Sequence, residues 1–223
     1  MSDKIRVGTR PSPLALKQVD EMQARLPDVI LQKVPIRTQG DKDKLTPLYG
    51  VEGTDFFTQE IDEALLAGDI DCAVHSAKDV PIPLREGLAV AAITECLSPH
   101  DALVSRFGLK LEELPLHAVI GVSSERRKQG LLRFREDFCL MDIRGNINER
   151  LLRLDKGEFD GIIVAVCALM RLDLTERITQ IIPDTIIEPH PLQGSLALVA
   201  RVNDSKIREI FRVLDNRKRI YGI

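Results

Sequence analysis

The sequence predicts an α/β protein built as two lobes. Short apolar runs alternate with segments of helical periodicity, the alternation recurs in the second half of the chain, and two turn-rich stretches bracket the recurrence. Lys4 to Gly8 is a short strand. Ser12-Pro13 then offers an N-cap followed by Pro at the first helical position, and Ala15, Val19, Met22 and Leu26 continue at helical spacing until Pro27. Val29 to Ile36 is the second strand, and Phe57, Ile61, Leu65 and the terminator Gly68 mark a helix feeding the apolar strand Ile70 to Val74. Tight strand–helix–strand alternation of this kind predicts a largely parallel sheet.

The rhythm resumes with a strand at Val119 to Val122 and Ser123-Ser124 capping a helix that carries Arg126 and Arg127. Cys139 to Ile143 is a strand ending in Arg144-Gly145-Asn146, followed by a helix with Ile147, Leu151 and Leu154 closed by Gly157. Gly161 to Val166 reads as a continuous apolar strand leading to Arg171, and Leu196 to Val199 as the last strand. Ile207, Ile210, Phe211 and Leu214 then form one face of a final helix. Glu95 to His100 and Glu188 to Gly194 break the periodicity with turn formers. The expected organisation is residues 1–95 plus 194–223 as a discontinuous first lobe and 99–189 as an inserted second lobe. Hinge crossings fall near 95–100 and 188–194, with a ligand cleft between the lobes.

With 44% hydrophobic and 29% charged residues the chain can build a core and is not of the disordered class. A net charge of −3 argues against general nucleic-acid or anionic-membrane binding, and the absence of Trp with only two Tyr leaves few stacking platforms. Met1 to Arg6 lacks the apolar centre of a signal peptide and no run is long enough to span a bilayer, so the cytoplasm is the expected location. Cys72, Cys96, Cys139 and Cys167 are scattered without metal-ligand spacing, and His100, His117 and His190 do not cluster with other ligand types, so no metal site is expected.

The segment His75-Ser76-Ala77-Lys78-Asp79-Val80-Pro81 places a Lys and an Asp side by side where a strand leaves the core. A carboxylate held there is suited to positive charge or protons on a ligand, while the plainer alternative is an internal ion pair. Arg10, Arg126, Arg127, Arg144 and Arg171 all follow predicted strands, with Arg150 on the helix after Arg144, and Ser12, Ser123, Ser124 and Asn146 stand at helix starts. Ligands of open α/β sheets bind at the carboxyl ends of strands, where arginines grip carboxylates or phosphates bidentately. No Walker loop, GxGxxG or HExxH motif is present. Arg37 to Lys44 reads as a mobile surface loop and His75 as a structural hydrogen-bond partner at a strand end.

Taken in order, Gly8-Thr9-Arg10-Pro11-Ser12-Pro13-Leu14-Ala15, His75 to Pro81, Ser123 to Arg127, Arg144-Gly145-Asn146, Gly161 to Arg171 and Gln193-Gly194 resemble the porphobilinogen deaminase (hydroxymethylbilane synthase) family over nearly the whole chain. The resemblance implies two periplasmic-binding-protein-like (type II) lobes and a transferase of haem-type porphyrin biosynthesis. That enzyme condenses porphobilinogen head to tail into a linear tetrapyrrole with release of ammonia. It implies a dipyrromethane primer, porphobilinogen and linear oligopyrroles as partners, and a monomer. By the match Asp79 contacts pyrrole N–H groups and stabilises a cationic azafulvene, and Lys78 supports Asp79 or binds substrate carboxylate. Arg10, Arg126, Arg127, Arg144, Arg150 and Arg171 hold acetates and propionates. Ser12, Ser124, Asn146 and Gln193 add neutral hydrogen bonds, and Phe57 packs near the terminal ring.

The chain departs from the family pattern in three places. The family's third α+β domain, which carries the cysteine that anchors the primer, is expected to be absent. The glycine-rich loop reads Val51-Glu52-Gly53-Thr54-Asp55-Phe56-Phe57, with Thr54 where the family has a lysine. Ser195 and Val199-Ala200 stand where the family has an alanine and a glutamate–cysteine pair. A fragment, a short form primed by a non-covalent oligopyrrole or through Cys167 as substitute anchor, and a non-catalytic pyrrole- or small-carboxylate-binding module all remain open.

Overall fold

The computed structural model describes residues 4–43, 46 and 53–217. Within them the chain forms two compact units. The first takes in the described parts of Met1–Asp43, Gly53–Leu97 and Gly194–Ile223, and the second comprises Ser98–Gln193 together with Thr46.

The first unit is a five-stranded sheet in the order β2-β1-β3-β10-β4, made of β1 (Lys4–Thr9), β2 (Ile30–Pro35), β3 (Cys72–Ser76), β4 (Leu88–Ile93) and β10 (Leu196–Arg201). Between β1 and β2 runs α1 (Pro13–Arg25), capped by Ser12, whose Oγ accepts from the Ala15 amide, with Pro at its start. The α1 residues Val19 and Met22 pack with Ile5, Val7, Cys72, Leu198 and Phe211 on one face of the sheet, Phe211 coming from α7 (Ser205–Arg212). On the other face α3 (Gln59–Ala67) sets Ile61 and Leu65 against Ile70 and Val199. It ends at Gly68, whose φ of 81° is the left-handed cap that glycine adopts without strain. The short α2 (Gln39–Lys42) precedes α3.

The second unit repeats the plan in the order β7-β6-β8-β5-β9. Its strands are β5 (Asp101–Ser105), β6 (Val119–Val122), β7 (Cys139–Asp142), β8 (Gly161–Ala165) and β9 (Gln180–Ile181). Its helices are α4 (Glu125–Phe134), α5 (Ile147–Asp155) and α6 (Val166–Arg171). Leu103, Ile120, Leu131 and Ile163 fill one face, and Ala102, Leu154, Phe159 and Ile162 the other.

The sheets are mixed, which corrects the expectation of largely parallel ones. In each unit three strands run parallel and the fourth, β10 or β5, runs against its neighbours on both sides. These are the strands entered directly after a chain crossing, so their amino ends join the carboxyl ends of the parallel strands: Leu196 pairs with Ser76 and Asp101 with Ala165. One edge of each sheet therefore collects the turns after β1 and β3, or after β6, β7 and β8, with the start of the returning strand. A second correction concerns Gly161 to Arg171. The strand stops at Ala165 and passes without a loop into α6, so Cys167 and Arg171 stand on a helix. Val166 to Leu169 are buried, and a short apolar run gives no period by which to tell strand from buried helix. Phe57 precedes α3 rather than lying in it, and β3 begins at Cys72 rather than Ile70.

Helix α4 approaches the chain at Ile186 and Ile187 so closely that a Cβ on Gly130 would overlap the Ile186 carbonyl oxygen. Gly130→Ala is expected to destabilise by about 1–3 kcal/mol through overpacking, only partly offset by the ~1 kcal/mol helix preference of Ala. Urea unfolding checks this, and a more stable variant would refute the close approach.

Candidate functional site

In the first unit the edge is built from the exits of β1 and β3. Arg10 follows β1 directly, and its Nε donates to Asp41 Oδ1 at 3.1 Å, with Nη2 closing an ion pair to the same oxygen. Its guanidinium lies 4.2 Å from the centre of the Phe57 ring. Asp41 is itself positioned by Thr38, whose amide and hydroxyl donate to Asp41 Oδ2 at 3.1 and 3.0 Å. Burial alone would raise the Asp41 carboxyl, but the hydrogen bonds and charge of Arg10 outweigh it and hold the group below the ordinary range. Gly40 is buried beneath Phe57, where a Cβ would collide with the ring. The stretch expected to be a mobile surface loop is therefore, over its described residues to Asp43, a capped helical turn that supports Arg10. Lys44, and Val51 and Glu52 of the glycine-rich loop, lie outside the described residues.

Beyond β3 the chain makes one 3-10 turn, Ala77–Asp79. The Ala77 amide donates to the Ser195 carbonyl at 3.0 Å, tying this turn to the amino end of β10. Gln18 of α1 is buried and donates through Nε2 to Ser76 Oγ at 3.0 Å, fixing the exit from the other side. Lys78 and Asp79 are half-buried. Among the described residues the Asp79 carboxylate makes no hydrogen bond and no ion pair. His75 is 6% exposed, and its Nε2 is buried without a hydrogen-bond partner among the described residues. Burial, with a smaller contribution from Arg10, pushes its pKa down to about 4, so the ring is neutral near pH 7.

In the second unit the edge is organised by Asp101, the first residue of β5. Arg127 donates to it from Nε at 3.1 Å and Nη2 at 2.6 Å, Arg126 from Nη2 at 3.0 Å, and Gln193 from Nε2 at 2.9 Å. Arg127 also reaches the Ile163 carbonyl, Arg126 the Glu188 carbonyl, and Gln193 the Pro99 carbonyl at 2.7 Å. Ser124 caps α4 and Asn146 caps α5, the latter in a reciprocal box with Glu149. The turn into α5 needs Gly145, whose φ is 99° and whose missing Cβ leaves room for Glu149. Arg150 spans two strand exits, donating to the Gly145 carbonyl and to Ser123 Oγ, each at 2.8 Å. Arg144 donates to the Thr46 carbonyl. Arg171 closes α6 and is buried, as is Cys167, whereas Cys96 and Cys139 are exposed.

The sequence-derived candidates thus fall on the two sheet edges. Arg10, Ser12, Phe57, Lys78 and Asp79 belong to the first unit, and Ser124, Arg126, Arg127, Arg144, Asn146, Arg150, Arg171, Cys167 and Gln193 to the second. Sequence reasoning missed Gln18, Asp41 and Asp101, the groups that hold the candidates in place. Asp41 had a signal, the Thr38-x-x-Asp41 capping pattern. Gln18 and Asp101 had none, because a single polar residue in a helix or at a strand start carries no periodicity.

Residues 5–209 match the family described as "Porphobilinogen deaminase, dipyromethane cofactor binding domain". Porphobilinogen deaminase of Desulforudis audaxviator is 42% identical over 220 residues, which cover 97% of this chain and 71% of that protein. The enzyme of the same name from Chlorobaculum parvum is 40% identical over 220 residues, 97% of this chain and 70% of that one. Among solved structures, an ancestral cationic amino acid solute binding protein superposes with a TM-score of 0.58 at 15% identity, covering 98% of this chain and 91% of its own. An amino acid ABC transporter substrate-binding protein from Streptococcus pneumoniae gives 0.52 at 16% identity, covering 98% and 89%. These likenesses establish the two-lobe periplasmic-binding-protein-like fold and nothing about ligands.

Asp101→Ala is expected to cost about 3–5 kcal/mol, because it leaves the buried Arg127 charge without its counterion; chemical denaturation measures it, and a loss under about 1 kcal/mol would demote the hub to a surface-like pair. His75 has a folded pKa below its unfolded value, so the unfolded chain takes up the proton first and its contribution to stability falls as pH drops from about 6.5 to about 4. In His75→Gln the loss of thermal midpoint between pH 7 and pH 5 should be smaller than in the parent protein. An equal or greater loss would contradict a neutral buried imidazole.

Proposed function

The chain belongs to the porphobilinogen deaminase family, and from that premise we propose that it condenses porphobilinogen head to tail, with Asp79 at the centre of the chemistry. The observation that carries this reading is a half-buried carboxylate, on a turn whose start is held by α1 and β10, with no partner among the described residues. Such a group is available to a ligand without first breaking an ion pair.

In each condensation the C–N bond of the porphobilinogen aminomethyl group breaks, ammonia departs, and a cationic azafulvene methylene remains. A pyrrole α-carbon then attacks that methylene, a carbon–carbon bond forms, and the α-proton is lost. Asp79 accepts hydrogen bonds from pyrrole N–H groups and sits where the positive charge develops, so it stabilises the transition state more than the ground state. Asp41 and Phe57 hold Arg10 rigid, with guanidinium N–H groups left over for a ring carboxylate. On the second unit Arg126, Arg144 and Arg150 offer the same chemistry to acetate and propionate groups, with Ser124, Asn146 and Gln193 as neutral hydrogen-bonding groups, and Ser12 has that part on the first unit.

The donor set also fits dipyrromethane: an unpartnered carboxylate for two pyrrole N–H groups, and arginines for its acid side chains. When bound, that group supplies the first nucleophilic pyrrole carbon. Among the described residues no helix is long and apolar enough to cross a membrane. The reading places the protein in the cytoplasm as a monomer acting on porphobilinogen and linear oligopyrroles.

Asp79→Asn should leave the urea midpoint within about 0.5 kcal/mol of the parent and lower kcat/KM for porphobilinogen consumption by about 10²–10³-fold. Product is read as uroporphyrin after acid oxidation. Turnover near the parent level would remove Asp79 from the mechanism, and porphobilinogen binding without product in the parent chain would favour a binding module.

A further inference from the structure

The first unit contains a second concavity that the condensation chemistry does not use. It has a volume of about 520 Å³ and lies between the turn at Gly53–Asp55, the start of α3 and the segment Pro81–Arg85. Asp62, on the first turns of α3, lines it while being only 2% exposed. Among the described residues its side chain makes no ion pair, and the Thr58 hydroxyl one turn earlier is its hydrogen-bonding neighbour. Asp55 lines the same pocket, and its carboxylate is likewise without an ion pair among the described residues. The nearby cation, Arg85, is at the rim and already paired with Glu63 at 3.4 Å. The pocket therefore holds two carboxylates without an ion pair, one of them buried, with Arg85 as the nearby positive charge.

A buried carboxylate without an ion pair is costly to maintain. Burial raises the Asp62 carboxyl to about 6, with Thr58 and Arg85 opposing and Asp55 and Glu63 adding to the rise. Pro81, Ile82, Pro83 and Leu84 give one side of the pocket an aliphatic surface, with Ile82 85% exposed, and Thr54, Gln59 and Arg85 complete the lining. Among the described residues no three His, Cys, Asp or Glu side chains gather to hold a metal ion. Carboxylates facing an aliphatic wall match a cation that carries its own hydrocarbon body rather than a hydrated ion.

We propose that this pocket is a binding site for aliphatic ammonium ions, with Asp62 as the buried counterion and Asp55 as the second carboxylate that favours diamines. The occupant would lie against the segment leaving the Asp79 turn, on groups that the condensation reaction does not require.

The probe is 1,4-diaminobutane, titrated calorimetrically into the intact protein near neutral pH, with n-butylammonium and ammonium chloride for comparison. One saturable site is expected for the diamine, weaker binding for butylammonium, and none for ammonium. Asp62→Asn should weaken the diamine about tenfold or more. Because burial penalises the ionised carboxylate, a neutral amide of the same shape should keep or raise the thermal midpoint, so lost binding cannot be ascribed to lost folding. Asp55→Asn should erase the preference for diamine over monoamine. A diamine that does not bind, or that binds Asp62→Asn as tightly as the parent, overturns the proposal. Porphobilinogen turnover is not read in this test, so its failure would leave the assignment of Asp79 standing.

Discussion

The second unit depends on one buried carboxylate. Asp101, 1% exposed at its side chain, takes hydrogen bonds from Arg126, Arg127 and Gln193. Those donors come from the first turn of α4 and from the residue just before the chain returns to the first unit. Gln193 in turn donates to Pro99, just after the chain has crossed over. The groups next to both crossings are therefore fixed on one charged centre, in surroundings where an unpaired charge is expensive. In the first unit the same duty falls to backbone bonds: Leu97 to Gly194 across the crossings, and Ala77 to Ser195 at the Asp79 turn.

This arrangement divides the charges into two classes. Arg10, Arg126 and Arg127 have carboxylate counterions within the chain, and Arg150 is braced on Gly145 and Ser123. Each guanidinium presents several N–H groups in a rigid plane, so a partner on one side orients the rest. Arg127 is the extreme case. At 5% exposure, with two bonds to Asp101 and one to the Ile163 carbonyl, its geometry serves the hub before any ligand. Asp79 is the opposite case, a carboxylate held by its backbone alone. Preorganised cations suit the constant negative charge of a substrate, whereas an unpaired carboxylate suits a positive charge that exists only during reaction.

The sequence made the alternation of strands and helices legible where apolar runs were bounded by caps and breakers: Ser12-Pro13 before α1, Gly68 after α3, and Asn146 before α5. It failed where those signals were missing. The strand Leu88–Ile93 is half alanine, which has little strand preference, and Asp101–Ser105 opens on an acid that reads as loop. With both overlooked, the Leu196 strand, though expected, lost one of its antiparallel neighbours, and the second sheet lost its antiparallel strand. The candidate arginines could be found from their places after strands, but their partners could not. Arg10–Asp41 and Arg127–Asp101 join residues 31 and 26 positions apart. Such pairings are set by sheet order, which local pattern does not encode.

The neutrality of His75 completes the electrostatics of the first unit. Its imidazole is buried on β3, within reach of the Arg10 charge, and a proton on it would cost both desolvation and repulsion. Burial therefore leaves the positive charge at this edge to a group of defined geometry. Arg10, ion-paired to Asp41 and stacked on Phe57, carries it, and the imidazole adds none near neutral pH. A fixed, oriented cation beside a neutral ring keeps the local field the same across the neutral range, which a titrating imidazole would not.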